Sequence, residues 1–235
     1  MAFATLELRQ AEVNRDGRRL LGPIDLTLDS GGITVILGHN GAGKSLFVKM
    51  CHGLFAPDKG TVLWNGRPAV ATRQERGFLF QTTPLLRRSV RANIEFPLLA
   101  LGSPRAERRK KVEAALQQAR LDTHANAPAA SLSGGERQRL ALARAAIASP
   151  SVILMDEPSA SLDPASTKEL ETAVRDIAAA STKVLLVTHD IHQAKRLADD
   201  VLMFAEGALL AHESADSFFT RPHEGAIADF LEGRL

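Results

Sequence analysis

Eight residues constrain this chain more than any others: Gly38-His39-Asn40-Gly41-Ala42-Gly43-Lys44-Ser45. They follow a short apolar run, Ile33–Leu37, and precede a stretch with helical character over about 44–53. A G-x-x-x-x-G-K-S pattern between a strand and a helix turns backbone amides inward around phosphates. The glycines clear the approach, and the helix N-terminus adds a favourable dipole. In such a loop Lys44 neutralises the β- and γ-phosphates of a nucleotide and Ser45 ligates Mg²⁺.

The strand before the loop has company. Runs at 77–80, 152–155 and 183–188 are rich in β-branched and large apolar residues and end at polar or glycine positions, as buried strands do. A helix is expected to open at Asp163, a good N-cap, with Pro164 in its first position. Buried strands separated by helices imply a mostly parallel α/β sheet. The first 30 residues alternate instead (Leu6, Leu8, then Ile24, Leu26, Leu28), which predicts half-buried antiparallel strands. From about 84 to 150 the pattern is helical, at 89–101, 106–120 and 134–148, with no convincing strand. The basic run 105–111 in the middle helix reads as a solvated face. The expected fold is therefore α/β: a phosphate-loop core of residues 1–82 and 150–235, an antiparallel N-terminal portion, and an inserted helical lobe of 83–149, all in one domain.

Composition narrows the function classes. Lys and Arg number 29 against 27 Asp and Glu, a net charge of +2, so the balance gives no reason to expect nucleic acid or an anionic membrane as partner. One cysteine, Cys51, excludes an intrachain disulfide and a multi-thiolate zinc site. No run approaches the roughly 18 apolar residues needed to span a bilayer. The N-terminus lacks a basic segment followed by an apolar one, so neither export by a signal peptide nor membrane integration is expected.

Two more segments carry chemistry. The apolar run 152–155 ends in Asp156 and Glu157. Beside a phosphate loop, Asp156 is placed to bind Mg²⁺ and Glu157 to polarise an attacking water as general base. Leu132-Ser133-Gly134-Gly135-Glu136 opens the third lobe helix. A hydroxyl and unhindered amides at a positive helix end make a second anion site, while Ser133 with Glu136 three residues on also reads as a capping box. Both readings are compatible, yet one phosphate loop has no need of a second phosphate-binding helix in the same chain.

In this order the segments resemble the nucleotide-binding subunits of ATP-binding cassette (ABC) transporters, over nearly the whole chain. Residues 132–136 are the most specific part. Gln81 matches the family's Q-loop glutamine, Ser161-Leu162-Asp163 its D-loop and His189 its switch histidine. His192 reads as an ordinary helix-surface histidine. The resemblance implies ATP and Mg²⁺, with the backbone of Gly38 through Leu46 around the phosphates and Ser45, Gln81 and Asp156 around the metal. It makes Glu157, His189 and Gln81 catalytic. It also implies a head-to-tail dimer in which each ATP lies between one copy's phosphate loop and Ser133, Gly134, Gly135 and Asp163 of the second copy. The other implied partners are membrane permease subunits, coupled through the lobe and the Gln81 region, and indirectly a periplasmic or extracellular solute-binding protein; nucleic acid is not among them. The place is the cytoplasmic face of the cell (inner) membrane.

The chain departs from the family where adenine is usually stacked on an aromatic ring. That position falls near Arg15; the chain has no Tyr, and no aromatic lies between Phe3 and Phe47. An arginine stacks through its guanidinium plane. With the sequence ending at Leu235, the C-terminal regulatory domain of some importer ATPases is not expected. The segment 81–94 is similar to that of bacterial importers of oxyanions such as tungstate, molybdate and phosphate. An exporter or division-type ATPase, or a soluble iron–sulfur-assembly cassette, is the alternative.

Overall fold

The computed structural model of the protein describes residues 4–29, 31–82 and 84–234. All five residues of β3 (Ile33–Leu37) are buried, as a strand covered on both faces requires. It pairs in parallel with β8 (Lys183–Val187) on one side and β9 (Asp200–Ala205) on the other. Outward from β8 come β7 (Val152–Asp156) and β6 (Arg76–Leu79), both parallel. Antiparallel β10 (Ala208–Ser214) edges β9, giving the order β10-β9-β3-β8-β7-β6. The expected strands at 77–80, 152–155 and 183–188 correspond to β6, β7 and β8, each within a residue or so at its ends. A second, antiparallel sheet has the order β2-β1-β4-β5, from β1 (Leu6–Arg15), β2 (Arg18–Leu28), β4 (Lys59–Trp64) and β5 (Arg67–Pro68).

Helix α1 (Lys44–His52) lies between the two sheets, and Phe47, Val48, Met50 and Cys51 fill that core with Leu6, Leu8, Leu21 and Phe204. The other face of the large sheet is covered by α5 (Pro164–Ala179), α6 (Ile191–Leu197), α7 (Ala215–Thr220) and α8 (Gly225–Leu231). Between β6 and β7 run α2 (Val90–Ala100), α3 (Arg105–Gln118) and α4 (Gly134–Ala146). Val90, Ile94, Leu98, Val112, Leu116 and Leu140 give these helices a core cluster of their own. One face of α4 serves that cluster through Leu140 and, just past its end, Ile147, and another lays Ala141 and Leu142 on the sheet. So α4 joins lobe and core.

A buried polar cluster lies under α1. The Arg76 guanidinium donates to the carbonyls of His52 (2.9 Å) and Ala69 and to Thr72 Oγ1 (3.0 Å), and sits 5.4 Å from the Trp64 ring centroid. The His52 Nδ1 has no hydrogen-bond partner among the described residues. Burial pushes the His52 pKa down to about 4. The unfolded chain takes up this proton near 6.5 and the folded chain resists it, so stability is unaffected above about pH 6.5 and falls as pH drops toward 4. Between about pH 7 and pH 5 the loss from this one group is expected to be about 2 kcal/mol. Urea unfolding at the two pH values should show a drop that is smaller by this amount in His52→Phe; an equal drop in both proteins would remove His52 as the source.

Candidate active site

Residues 38–45 form the expected loop between β3 and α1. Gly43, the residue before the helix, has φ +97°, and a Cβ there would lie 2.9 Å from Leu21 Cδ1. A side chain is therefore disfavoured by conformation, and Leu21 would have to shift to admit one. No side chain caps α1, so the first amides of the helix keep their donors for an anion. The Lys44 ammonium is buried and donates to the carbonyls of Gly38 (2.6 Å) and His39 (2.8 Å), spanning the loop. Burial pushes the Lys44 pKa down, while Glu157 and Asp156 push it back up. His39 sits edge-on to Phe230 of α8, with ring centroids 6.0 Å apart.

The end of β7 closes the other side of the site. The Ser45 hydroxyl donates to Asp156 Oδ1 at 2.7 Å, and Lys49 Nζ lies 3.5 Å from Asp156 Oδ2. Lys44 Nζ is 3.8 Å from Glu157 Oε1. The other Glu157 oxygen is 3.3 Å from His189 Nδ1, just beyond β8. Glu157 adopts φ +46°, and its amide donates to Val187 O at 3.1 Å, which ties the turn after β7 to the end of β8. Five predicted residues, Lys44, Ser45, Asp156, Glu157 and His189, are thus linked one to the next. A hydroxyl and a carboxylate oxygen meeting beside two lysines suit Mg²⁺ carried by a polyphosphate.

The remaining predicted residues stand apart. Gln81 is exposed after β6, and its carbonyl lies 3.5 Å from Gln138 Nε2; its side chain makes no hydrogen bond among the described residues. Ser133 caps α4 in a full capping box with Glu136. Around Gly134 a Cβ would meet only Leu162, at 4.0 Å, so that helix end is open. At Gly135 a Cβ would fall 2.4 Å from Ser166 Oγ, so helix packing explains this glycine. Asp163 caps α5 through the amides of Ala165 and Ser166. Arg15 is exposed at the end of β1, paired in register with Arg18. Its hairpin reaches the loop through Gly22, whose amide donates to Gly207 O (2.8 Å), and Gly207, whose amide donates to Ala42 O (3.1 Å).

The sequence profile described as ABC transporter matches residues 21–160. The chain belongs to the ABC transporter family. It is 37% identical to an aliphatic sulfonates import ATP-binding protein of Mycobacterium avium, covering 89% of this chain and 80% of that one. It is 32% identical to a phosphate import ATP-binding protein of Natronomonas pharaonis, over 94% and 84%. It is also 32% identical to a methionine import ATP-binding protein of Nocardia farcinica, over 94% and 70%. Among solved structures, CbiO1 of Clostridium perfringens, part of the ABC transporter complex CbiONQ, superposes with a TM-score of 0.85 at 27% identity, covering 94% of this chain and 92% of that one.

This ABC protein is an ATPase. Sequence reasoning overlooked Lys49, although the signal was there: it lies four residues after Ser45, which places both on one face of α1 toward Asp156.

Proposed function

We propose that this ABC ATPase is the energy-coupling subunit of a bacterial importer, that it acts with Mg²⁺ as a head-to-tail dimer, and that the cargo is an inorganic oxyanion. The convergence of Lys44, Ser45, Asp156, Glu157 and His189 carries the catalytic part of this reading. Lys44 leaves the Gly38 and His39 carbonyls to bind the β- and γ-phosphates, and the helix amides through Leu46 hold the remaining oxygens. Ser45 and Asp156 would hold Mg²⁺, with Gln81 from the end of β6 as a further ligand, and the ion would supply charge neutralisation at those phosphates. Glu157 accepts a proton from the attacking water at the oxygen turned away from Lys44, and His189 fixes that oxygen from the far side. Arg15 lies flat on the base.

The dimer reading is supported by what one chain leaves apart. Ser133 and Gly134 end an open helix with no hydrogen bond to the loop cluster among the described residues, so a second copy is needed to complete each site. No described helix is long and apolar enough to cross a membrane. Phe96, Leu99 and Leu101 stand exposed at the end of α2, a surface suited to a permease on the cytoplasmic face of the membrane. Import is supported by the names of the three relatives, and an inorganic oxyanion by the phosphate relative together with residues 81–94.

Cargo is tested by uptake in a strain lacking the gene, against the same strain carrying it. Phosphate, molybdate or tungstate accumulation is expected to fall by roughly an order of magnitude or more in the strain lacking the gene, since transport by this route loses its ATPase, with methionine uptake unchanged. Loss of methionine uptake alone would overturn the oxyanion reading.

A further inference from the structure

The contact between Glu157 and His189 is made by two residues that both sit on turns. Glu157 occupies a left-handed backbone conformation, and the His189 side chain is about half exposed, with Glu157 its only ion-pair or hydrogen-bond partner among the described residues. Four residues after His189, on α6, Gln193 is 2% exposed and linked by side chain to the loop that carries Glu157. Its Nε2 lies 3.0 Å from Ser159 Oγ and 3.2 Å from Glu171 Oε1, and its Oε1 lies 3.1 Å from Ser159 Oγ. Ser159 is two residues past Glu157. Glu171, buried on α5, also takes Arg196 Nε (3.0 Å) and Nη2 (2.6 Å) from α6.

The chemistry of this chain is specific. A carboxylate only accepts, so the amide nitrogen must face Glu171, which leaves the amide oxygen to receive the Ser159 hydroxyl. Glutamate at 193 would set two buried carboxylates together, and an apolar residue would remove one of the two donors to Glu171 Oε1, which keeps Arg196, and take from the Ser159 hydroxyl its side-chain partner. The Glu157 amide donates to the Val187 carbonyl, and the Asp190 carboxylate caps α6 by accepting from the amides of His192 and Gln193. Apolar packing and Arg196 hold α6 to the sheet and to α5, and the Ser159–Gln193 bonds add a side-chain tie from the body of α6 to the loop after Glu157.

We propose that Gln193 is a positioning residue: by tying α6 to the loop after Glu157, it sets the distance between His189 and Glu157 and so the rate of hydrolysis. The inference rests on the reading of Glu157 and His189 as the catalytic pair.

The test uses the full chain, with steady-state ATPase kinetics and a thermal melt for each variant. Gln193→Met, close in volume, is expected to lower kcat about 10-fold with KM for ATP within about 2-fold, since a displacement of well under 1 Å at a reacting group costs on this order. In a His189→Ala background the same substitution should lower kcat by less than about 2-fold, because residues acting through one contact are not additive. Ser159→Ala removes the same tie without altering core volume, so it carries the test if Gln193→Met folds poorly; it should reproduce the kcat loss and its absence in the His189→Ala background. Equal losses in both backgrounds would make Gln193 a stability residue only, and unchanged kcat in a folded variant would overturn the inference outright. If His189→Ala itself turns over at the full rate, the catalytic pair falls and the inference with it. If His189→Ala is slow and neither Gln193→Met nor Ser159→Ala is, the inference falls alone.

Discussion

Glu157→Gln is expected to lower ATP turnover by about 10²–10⁴-fold, the usual loss when a general base is removed, while nucleotide binding survives. The amide keeps the shape of the carboxylate and the same turn, but its oxygen is a far weaker proton acceptor. The loop does not depend on Glu157 for its form: Lys44 is anchored on Gly38 and His39, and Ser45 on Asp156. One of two carboxylates beside Lys44 is lost and Asp156 remains, so the ammonium stays charged and phosphate affinity is kept. If hydrolysis reopens the proposed dimer, the variant should run as a dimer on size-exclusion chromatography with ATP and Mg²⁺, while the wild type returns to monomer as ATP is consumed. A Glu157→Gln protein that hydrolyses ATP at the wild-type rate would remove Glu157 from the role of base.

What was legible in the sequence was whatever local chemistry enforces. β3, β7 and β8 show themselves because a strand buried on both faces has to be apolar throughout, and the caps Ser133 and Asp163 because a helix end needs an acceptor at one position. The apolar run of β9 is just as buried, but Val201-Leu202-Met203-Phe204-Ala205 has one β-branched residue and no turn glycine before it, and sequence reading set no strand there. Only the pairing with β3 shows what it is. β4 is harder still, since three of its six residues are exposed and Gly60 lies inside it, although Pro57-Asp58 before it and Asn65-Gly66 after it are turn signals. At the site the contrast is the same. Lys44, Ser45, Asp156 and Glu157 stand in two contiguous motifs, and His189 follows a strand. Gln193 and Ser159 are 34 positions apart with no motif between them, and only the docking of α6 on the loop after β7 brings them together.

Ser133→Arg is expected to abolish ATP-dependent dimerisation and to lower ATPase activity at least about 100-fold, the scale set by losing one charge-stabilising donor in a reacting site, with the ATP affinity of the isolated monomer unchanged. The reason is geometric. Ser133 caps α4 at an open helix end and makes no hydrogen bond to the phosphate loop among the described residues, so in the proposed head-to-tail dimer the phosphate it serves is that of a second copy. A guanidinium there fills the space the partner's γ-phosphate must enter. Loss of the cap costs about 1 kcal/mol of stability, too little to unfold the chain. Lys44→Ala supplies the complementary lesion, removing the charge that neutralises phosphate while leaving α4 intact. In a mixed dimer the two variants make one site with both lesions and one site with neither. Mixing two inactive proteins should therefore restore ATP hydrolysis at the single intact site, at up to half the wild-type rate per mixed dimer when sites turn over independently. Monomer binding measured by titration with a fluorescent ATP analogue decides between one chain and two: if Ser133→Arg loses that affinity, Ser133 serves its own chain's loop and the head-to-tail arrangement is wrong.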